Sequence, residues 1–210
     1  MKNKFYALKL ALACIFVFIL QTAIKGVTEQ FVLNENSFIQ PWRFLTAIFL
    51  HGGLLHLLYN MFALVLFGLF LEGLIGGRKF LLVFFVSGIL ANIISVFFYP
   101  SSLGASGAIS GIIGALIIVR PMLVVWAFGL PMPIFIAGIV WVAGDLIGAI
   151  GYFAGNPIDN TGNIAHLAGM FFGLLFGFMY RDWARKREKR ERIRINEGYM
   201  RCWEDNYLSR

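Results

Sequence analysis

Gly104-Ala105-Ser106-Gly107-Ala108-Ile109-Ser110-Gly111-Ile112-Ile113-Gly114 opens a run that stays apolar to Val119. Gly104, Gly107, Gly111 and Gly114 recur at helical spacing, the pattern of a membrane helix that packs backbone against backbone. Ser106 stands near the start of this run, between glycines. A second apolar run holds Ala165-His166-Leu167-Ala168-Gly169, followed by Gly173 and Gly177 in a small-xxx-small stripe. A third run is preceded by His51 and begins with His56 and Asn60. Taken alone, the serine reads as packing and the histidine as a core imidazole bonded to a carbonyl. Together, in a solvent where polar groups are costly, they read as a nucleophile, a base and polar donors.

The composition sets the solvent. Apolar residues make up 59% of the 210 and charged residues 14%, against about 25% charged in soluble domains. The chain has room for about six spans of roughly 20 residues and for no sizeable soluble domain. Spans are expected near residues 6–24, 56–75, 80–99, 106–120, 133–152 and 163–180. Gly76-Gly77, Pro100, Pro121 and Pro131-Met132-Pro133 punctuate them. The expected architecture is an all-α, six-span bundle over residues 1–180 with a basic cytoplasmic tail over 181–210. The apolar stretch between Val119 and Pro133 is expected either to lie in the interface or to extend the fourth helix.

The N-terminus has the basic start and apolar core of a secretory signal (Lys2, Lys4). It lacks a small-x-small site followed by a polar mature domain, so it reads as an uncleaved first span, weakened by Lys9 and Gln21. Cys14 follows Ala11-Leu12-Ala13, a weak lipoprotein pattern, but the apolar run continues to Ile24. Cys14 and Cys202 lie in different environments, and no disulfide is expected.

Charge orients the bundle. Lys2, Lys4, Arg78, Lys79, Arg120 and the basic cluster over 181–194 fall at one set of ends. The opposite loops, with Lys25, Glu29, Glu35, Arg43 and Asp159, show no positive excess. The positive-inside rule then places both termini in the cytoplasm, and the charge bias and size suit a plasma-membrane protein. The net charge of +7 sits mostly at the end of the chain. That tail reads as a solvated helix that locks orientation and touches anionic lipid. Nothing suggests nucleic acid, because no folded reading module accompanies the basic residues.

With this topology the second, fourth and sixth helices all start at the outer side. His56 and Asn60, Ser106, and His166 then lie at one depth. His56 and Asn60, four apart, share a helix face. Ser106 sits where free backbone N–H groups and the helix dipole favour negative charge. The Gly169 and Gly173 stripe lets the sixth helix approach the fourth, which would bring His166 to Ser106. His51 reads as a loop-to-helix tether. Glu72 reads as a structural tie near the cytoplasmic end of the second helix. Asp145 lies deep in the fifth span and Asp159 in the loop before His166, so the expectation is a Ser–His dyad with no third member. No metal or cofactor is expected, because the histidines lack zinc-protease spacing.

These residues resemble the rhomboid family of intramembrane serine proteases over about residues 42–180. The matching pieces are Trp42-Arg43, His51-x4-His56-x3-Asn60, Gly104-Ala105-Ser106-Gly107 and Ala165-His166-x2-Gly169-x3-Gly173. The resemblance implies that Ser106 is the nucleophile and His166 its general base. It implies that His56, Asn60 and the Ser106 N–H stabilise the oxyanion, that Trp42-Arg43 lies in a half-submerged first loop, and that Glu72 is structural. It further implies a single-span membrane protein as substrate, cut near the outer face beside a small residue. One position departs from the pattern: Ser110 stands where the family often has an aromatic ring stacked on the histidine. A neighbouring phenylalanine is the expected replacement. The rival readings are a non-catalytic rhomboid-like protein that binds membrane clients and a small transporter; the latter suits a midplane site and internal repeats, neither of which is seen.

Overall fold

The computed structural model describes residues 5–156 and 162–207. Lys2, Lys4 and Asp159, used above, lie outside the described residues. The helices are α1 (Tyr6–Ala23), α2 (Val27–Phe31), α3 (Arg43–Thr46), α4 (Leu54–Ile75), α5 (Gly77–Ser95), α6 (Ser106–Val119), α7 (Ile134–Phe153) and α8 (Asn163–Tyr207). Two small antiparallel ribbons accompany them, β1 (Leu33–Asn34) with β2 (Ser101–Ser102) and β3 (Val124–Ala127) with β4 (Leu130–Pro133). The molecule is an all-α bundle of an integral, multi-pass membrane protein.

Among the described residues five helices are long and apolar enough to cross a membrane: α1, α4, α5, α7 and the first part of α8. The sixth expected span, α6, has 14 residues. At 1.5 Å per residue it reaches about 21 Å, short of a hydrocarbon core of about 30 Å. It stands in the middle of the bundle, packed against α4, α5, α7 and α8, and most of its residues are buried. Neighbouring helices cover most of its surface, so its length need not match the bilayer.

Two places outside the expected spans take a definite form. The sixth span and the expected tail helix are one element, α8, which runs unbroken from Asn163 to Tyr207. Residues 181–197 contain no glycine or proline and are rich in Arg, Lys and Glu, which are good helix formers. The tail is also tied to the bundle: Glu188 accepts from Arg120 at 2.8 Å, and the Lys79 ammonium lies 3.4 Å from the centre of the Trp183 ring. The change at residue 180 is therefore one of composition, not of backbone. The second lies between α6 and α7, in the stretch expected either to lie in the interface or to extend the fourth helix. Pro121 bars extension of α6, and the following residues form a hairpin closed by Phe128 and Gly129, both at positive φ (54° and 80°). Such a pair makes a two-residue turn. Val125 faces the bundle and is buried, whereas Val124, Trp126 and Phe128 are exposed.

The polar residues of α1 have defined jobs. Lys9 is exposed near one end, with its ammonium 5.3 Å from the Tyr6 ring centre. The Gln21 side chain accepts from the His51 N–H at 2.9 Å and donates to the His51 carbonyl at 3.3 Å. This two-way clamp fixes the loop that leads into α4. Replacing Gln21 by leucine strands both backbone groups, each costing about 1–3 kcal/mol if left unpaired. The expected result is a fall of that order in unfolding free energy in detergent micelles; a change below about 0.5 kcal/mol would refute the clamp.

Candidate active site

The site is a cavity of about 590 Å³ at the end of the bundle where α4, α6 and α8 begin. Gly52, His56, Asn60, Gly104, Ser106 and His166 are among its lining residues. Four sequence-predicted polar residues thus meet in one place: His56 and Asn60 from α4, Ser106 from the first residue of α6, and His166 from the first turn of α8. Arg78, Lys79, Arg120 and the basic part of α8 lie at the opposite end.

The closeness of α6 and α8 comes from glycine. A Cβ on Gly169 would fall on the Gly107 carbonyl, and one on Gly173 would fall on the Gly111 carbonyl. Gly107 also faces Ala91 of α5, where an added Cβ would come within 2.8 Å of the alanine methyl. These contacts set His166 and Ser106 on adjacent, touching helices. The start of α8 is held from the side as well, since the Ile164 N–H donates to the Tyr99 hydroxyl at 3.1 Å.

Ser106 begins α6, and the first intrahelical bond runs from the Ile109 N–H to the Ala105 carbonyl at 2.9 Å. Helix geometry therefore leaves the Ser106, Gly107 and Ala108 N–H groups without intrahelical partners. The loop before it is pinned: the Gly104 N–H donates to the Ala47 carbonyl at 2.9 Å, and β2 pairs with β1 of the first loop. Gly104 has φ +128°, a conformation that suits glycine. A Cβ there would also press on the His56 imidazole, at 2.8 Å from Cε1 and 3.1 Å from Nε2. The residue that approaches Gly104 closely is thus a side chain, not a second backbone.

Hydrogen bonds fix the tautomers. The Gly52 N–H donates to His56 Nδ1 at 3.3 Å, so in the neutral ring the proton sits on Nε2, the atom turned toward Gly104 and the cavity. Asn60 donates one amide hydrogen to the His56 carbonyl at 2.8 Å, which leaves its second amide hydrogen for the cavity. His51 does not line the cavity. It is buried behind His56, ring centres 5.3 Å apart, with Nδ1 at 3.2 Å from the Phe49 carbonyl. Burial, reinforced by the neighbouring His56, pushes its pKa down to about 4. It is a neutral imidazole in the loop that leads into α4.

The other support residues fall outside the cavity. Arg43 is buried and organises the first loop, donating to the Val32 carbonyl at 2.7 Å, the Glu29 carbonyl at 2.9 Å and the Gln40 side chain at 2.5 Å. Trp42 beside it is half-exposed. Glu72 is buried at the opposite end of α4, where its Oε2 accepts from the Ala7 N–H at 3.1 Å. It caps the start of α1, where the helix dipole favours a carboxylate.

One residue was not assigned to the site by sequence. Asp145, in α7, places Oδ1 3.0 Å from Nδ1 of His166. The group that engages the imidazole is a carboxylate from 21 residues away in sequence; among the described residues no phenylalanine stacks on it in place of the ring missing at Ser110. Ser110 itself lines the cavity. Among the described residues, no group of three or more His, Cys, Asp or Glu gathers to hold a metal.

Comparison with known proteins gives the class of protein to which this membrane bundle belongs. A family model, the Rhomboid domain, matches residues 39–183. Rhomboid protease GluP of Bacillus subtilis (strain 168) is 35% identical over 184 residues, covering 81% of this chain and 34% of that protein. RHOMBOID-like protein 6, mitochondrial, of Arabidopsis thaliana is 32% identical over 143 residues, covering 67% of this chain and 44% of that protein. Inactive RHOMBOID-like protein 8 of Arabidopsis thaliana is 36% identical over 87 residues, covering 40% of this chain and 24% of that protein. The chain belongs to the rhomboid family. It spans about a third to under a half of the length of these first two relatives.

Proposed function

We propose that this protein is an intramembrane serine endopeptidase in which Ser106 is the nucleophile and His166 the general base. The observation that carries the reading is the convergence of Ser106, His166, His56 and Asn60 on one cavity. Family membership alone would not carry it, because an inactive relative is among the matches. A client-binding protein has no need of a serine, an imidazole and oriented donors around one space.

In this reading His166 takes the proton of Ser106 through Nε2 as the serine oxygen attacks a peptide carbonyl. His56 Nε2–H, the free Asn60 amide hydrogen and the Ser106 N–H receive the charge on the tetrahedral intermediate. His166 then gives its proton to the departing amine. Water attacks the acyl-enzyme by the same route, and Ser106 is restored. The substrate is a single-span membrane protein that unwinds locally to expose its bonds, which helix-weakening residues favour, and is cut beside a small residue. The cavity end faces outside and both termini are cytoplasmic, in the plasma membrane, because the basic residues gather at the opposite end.

The test needs no known substrate. A serine-reactive fluorophosphonate should label the purified wild-type protein, and both Ser106→Ala and His166→Ala should lose labelling while keeping the fold. Absent wild-type labelling, or equal labelling of all three, would overturn the reading in favour of a client-binding protein.

A further inference from the structure

We infer that Asp145 is a positioning residue that completes the site by orienting His166 through Nδ1. The inference rests on the reading of Ser106 and His166 as nucleophile and base. Asp145 is the one charged residue of α7, and its side chain is 8% exposed. A carboxylate within an apolar span is costly unless a partner holds it. The partner is the His166 ring, itself 13% exposed, at 3.0 Å.

The geometry dictates a protonation pattern. A carboxylate accepts, so the neutral His166 carries its proton on Nδ1. Nε2 is then the bare nitrogen, free to accept from Ser106. Without that acceptor the ring can turn about χ2 or carry its proton on Nε2, and either change removes the base. The carboxylate has a second effect: as His166 gains a proton from Ser106, the negative charge beside Nδ1 stabilises the imidazolium. The arrangement draws on three helices, with α6 supplying the serine, α8 the base and α7 the carboxylate. α6 and α8 are locked by glycine contacts, so the rotation of the imidazole is the freedom left to fix, and Asp145 is placed to fix it.

A purely structural Asp145 would instead tie α7 to α8, and the two roles separate in a saturation experiment with the fluorophosphonate. Binding of the probe (KI) is read apart from the chemical step (kinact), with thermal unfolding in the same detergent. Asp145→Asn keeps the shape, removes the charge and can hold the wrong tautomer. It is expected to lower kinact by about 10²- to 10⁴-fold, with KI within threefold and the unfolding midpoint unchanged. Asp145→Glu, which keeps the charge at an altered distance, is expected to fall between the two. Wild-type kinact in Asp145→Asn, or a raised KI with kinact unchanged, would overturn the inference. Loss of labelling only in proportion to lost fold in both variants would overturn it as well. If Asp145→Asn alone fails to fold, Asp145→Glu decides: a lowered kinact in a folded protein supports the role, and a wild-type value refutes it. An unlabelled wild-type protein would instead remove the reading of Ser106, and this inference with it.

Discussion

One added methyl group at Gly169 is expected to lower Ser106 labelling at least 100-fold. The Cβ of Gly169→Ala would fall on the Gly107 carbonyl, one residue from the serine, and no rotamer change can relieve a clash with backbone. The helices cannot pivot locally either, because Gly173 meets the Gly111 carbonyl one turn further on. The pair must therefore separate along its length, by about 1 Å or more. Overpacking of this kind costs about 1–3 kcal/mol in stability. A 1 Å misplacement of reacting groups costs about 10² in rate, so the site should fail before the fold does. Gly198→Ala is the control, since a Cβ there meets nothing within 4 Å. It should label as wild type does. Equal labelling of Gly169→Ala and wild type would mean that α6 and α8 are not in backbone contact at this level.

The parts of the site that were legible in sequence are those fixed by helix starts and topology. Ser106, His166, His56 and Asn60 each sit within the first turns of an apolar run, and alternate runs must begin at the same end of a bundle. Their depth follows from counting spans. The glycine stripes were legible too, because Gly169 and Gly173 have no side chain to offer lipid and so read as contact surface. Asp145 was not legible. Its depth within α7 can be counted, but its direction depends on how α7 is rotated, at 100° per residue, and that rotation is set by packing against α6 and α8. Asp159 is nearer to His166 along the chain, but nearness in sequence does not aim a side chain. The role of Arg43 was hidden for another reason: two of its acceptors are the backbone carbonyls of Glu29 and Val32, which any residue could supply. The tail is legible as a helix, but hydropathy marks only where the apolar surface ends, so its continuity with the sixth span is not. The hairpin after α6 carried a signal that apolarity masked. Pro131 and Pro133 alternate along β4, where the inward-facing Met132 pairs with Val125. The Ile134 N–H donates back to the Leu123 carbonyl at 2.8 Å. By that register Pro131 and Pro133 occupy the non-hydrogen-bonded pairs of the ribbon, where a strand loses no ladder bond.

Replacing His56 by alanine is expected to lower kinact, and the turnover of a membrane-protein substrate, by about 10²- to 10³-fold, or about 2.7–4 kcal/mol of transition-state stabilisation. The sign follows from the tautomer. Gly52 donates to Nδ1, so the neutral ring has a donor at Nε2 with no partner among the described residues. Such a donor is worth most when charge develops on the substrate oxygen, so KI and KM should change little while the chemical step slows. His51 keeps this arrangement by position rather than by contact with substrate. It is neutral because burial pushes its pKa to about 4, and it fills the space behind the His56 ring. Asn60→Ala should cost less, about tenfold. One of its amide hydrogens is already committed to the His56 carbonyl, so it supplies a single hydrogen to the cavity and helps to hold its neighbour. For the same reason the two substitutions should not add: the double variant should lose less than the product of the two factors, because Asn60 acts partly through His56. The measurement is saturation labelling of the three variants beside wild type. A His56→Ala protein that raises KI at unchanged kinact would place His56 in substrate binding, not in oxyanion stabilisation. Fully multiplicative losses would separate Asn60 from His56 and make the two donors independent.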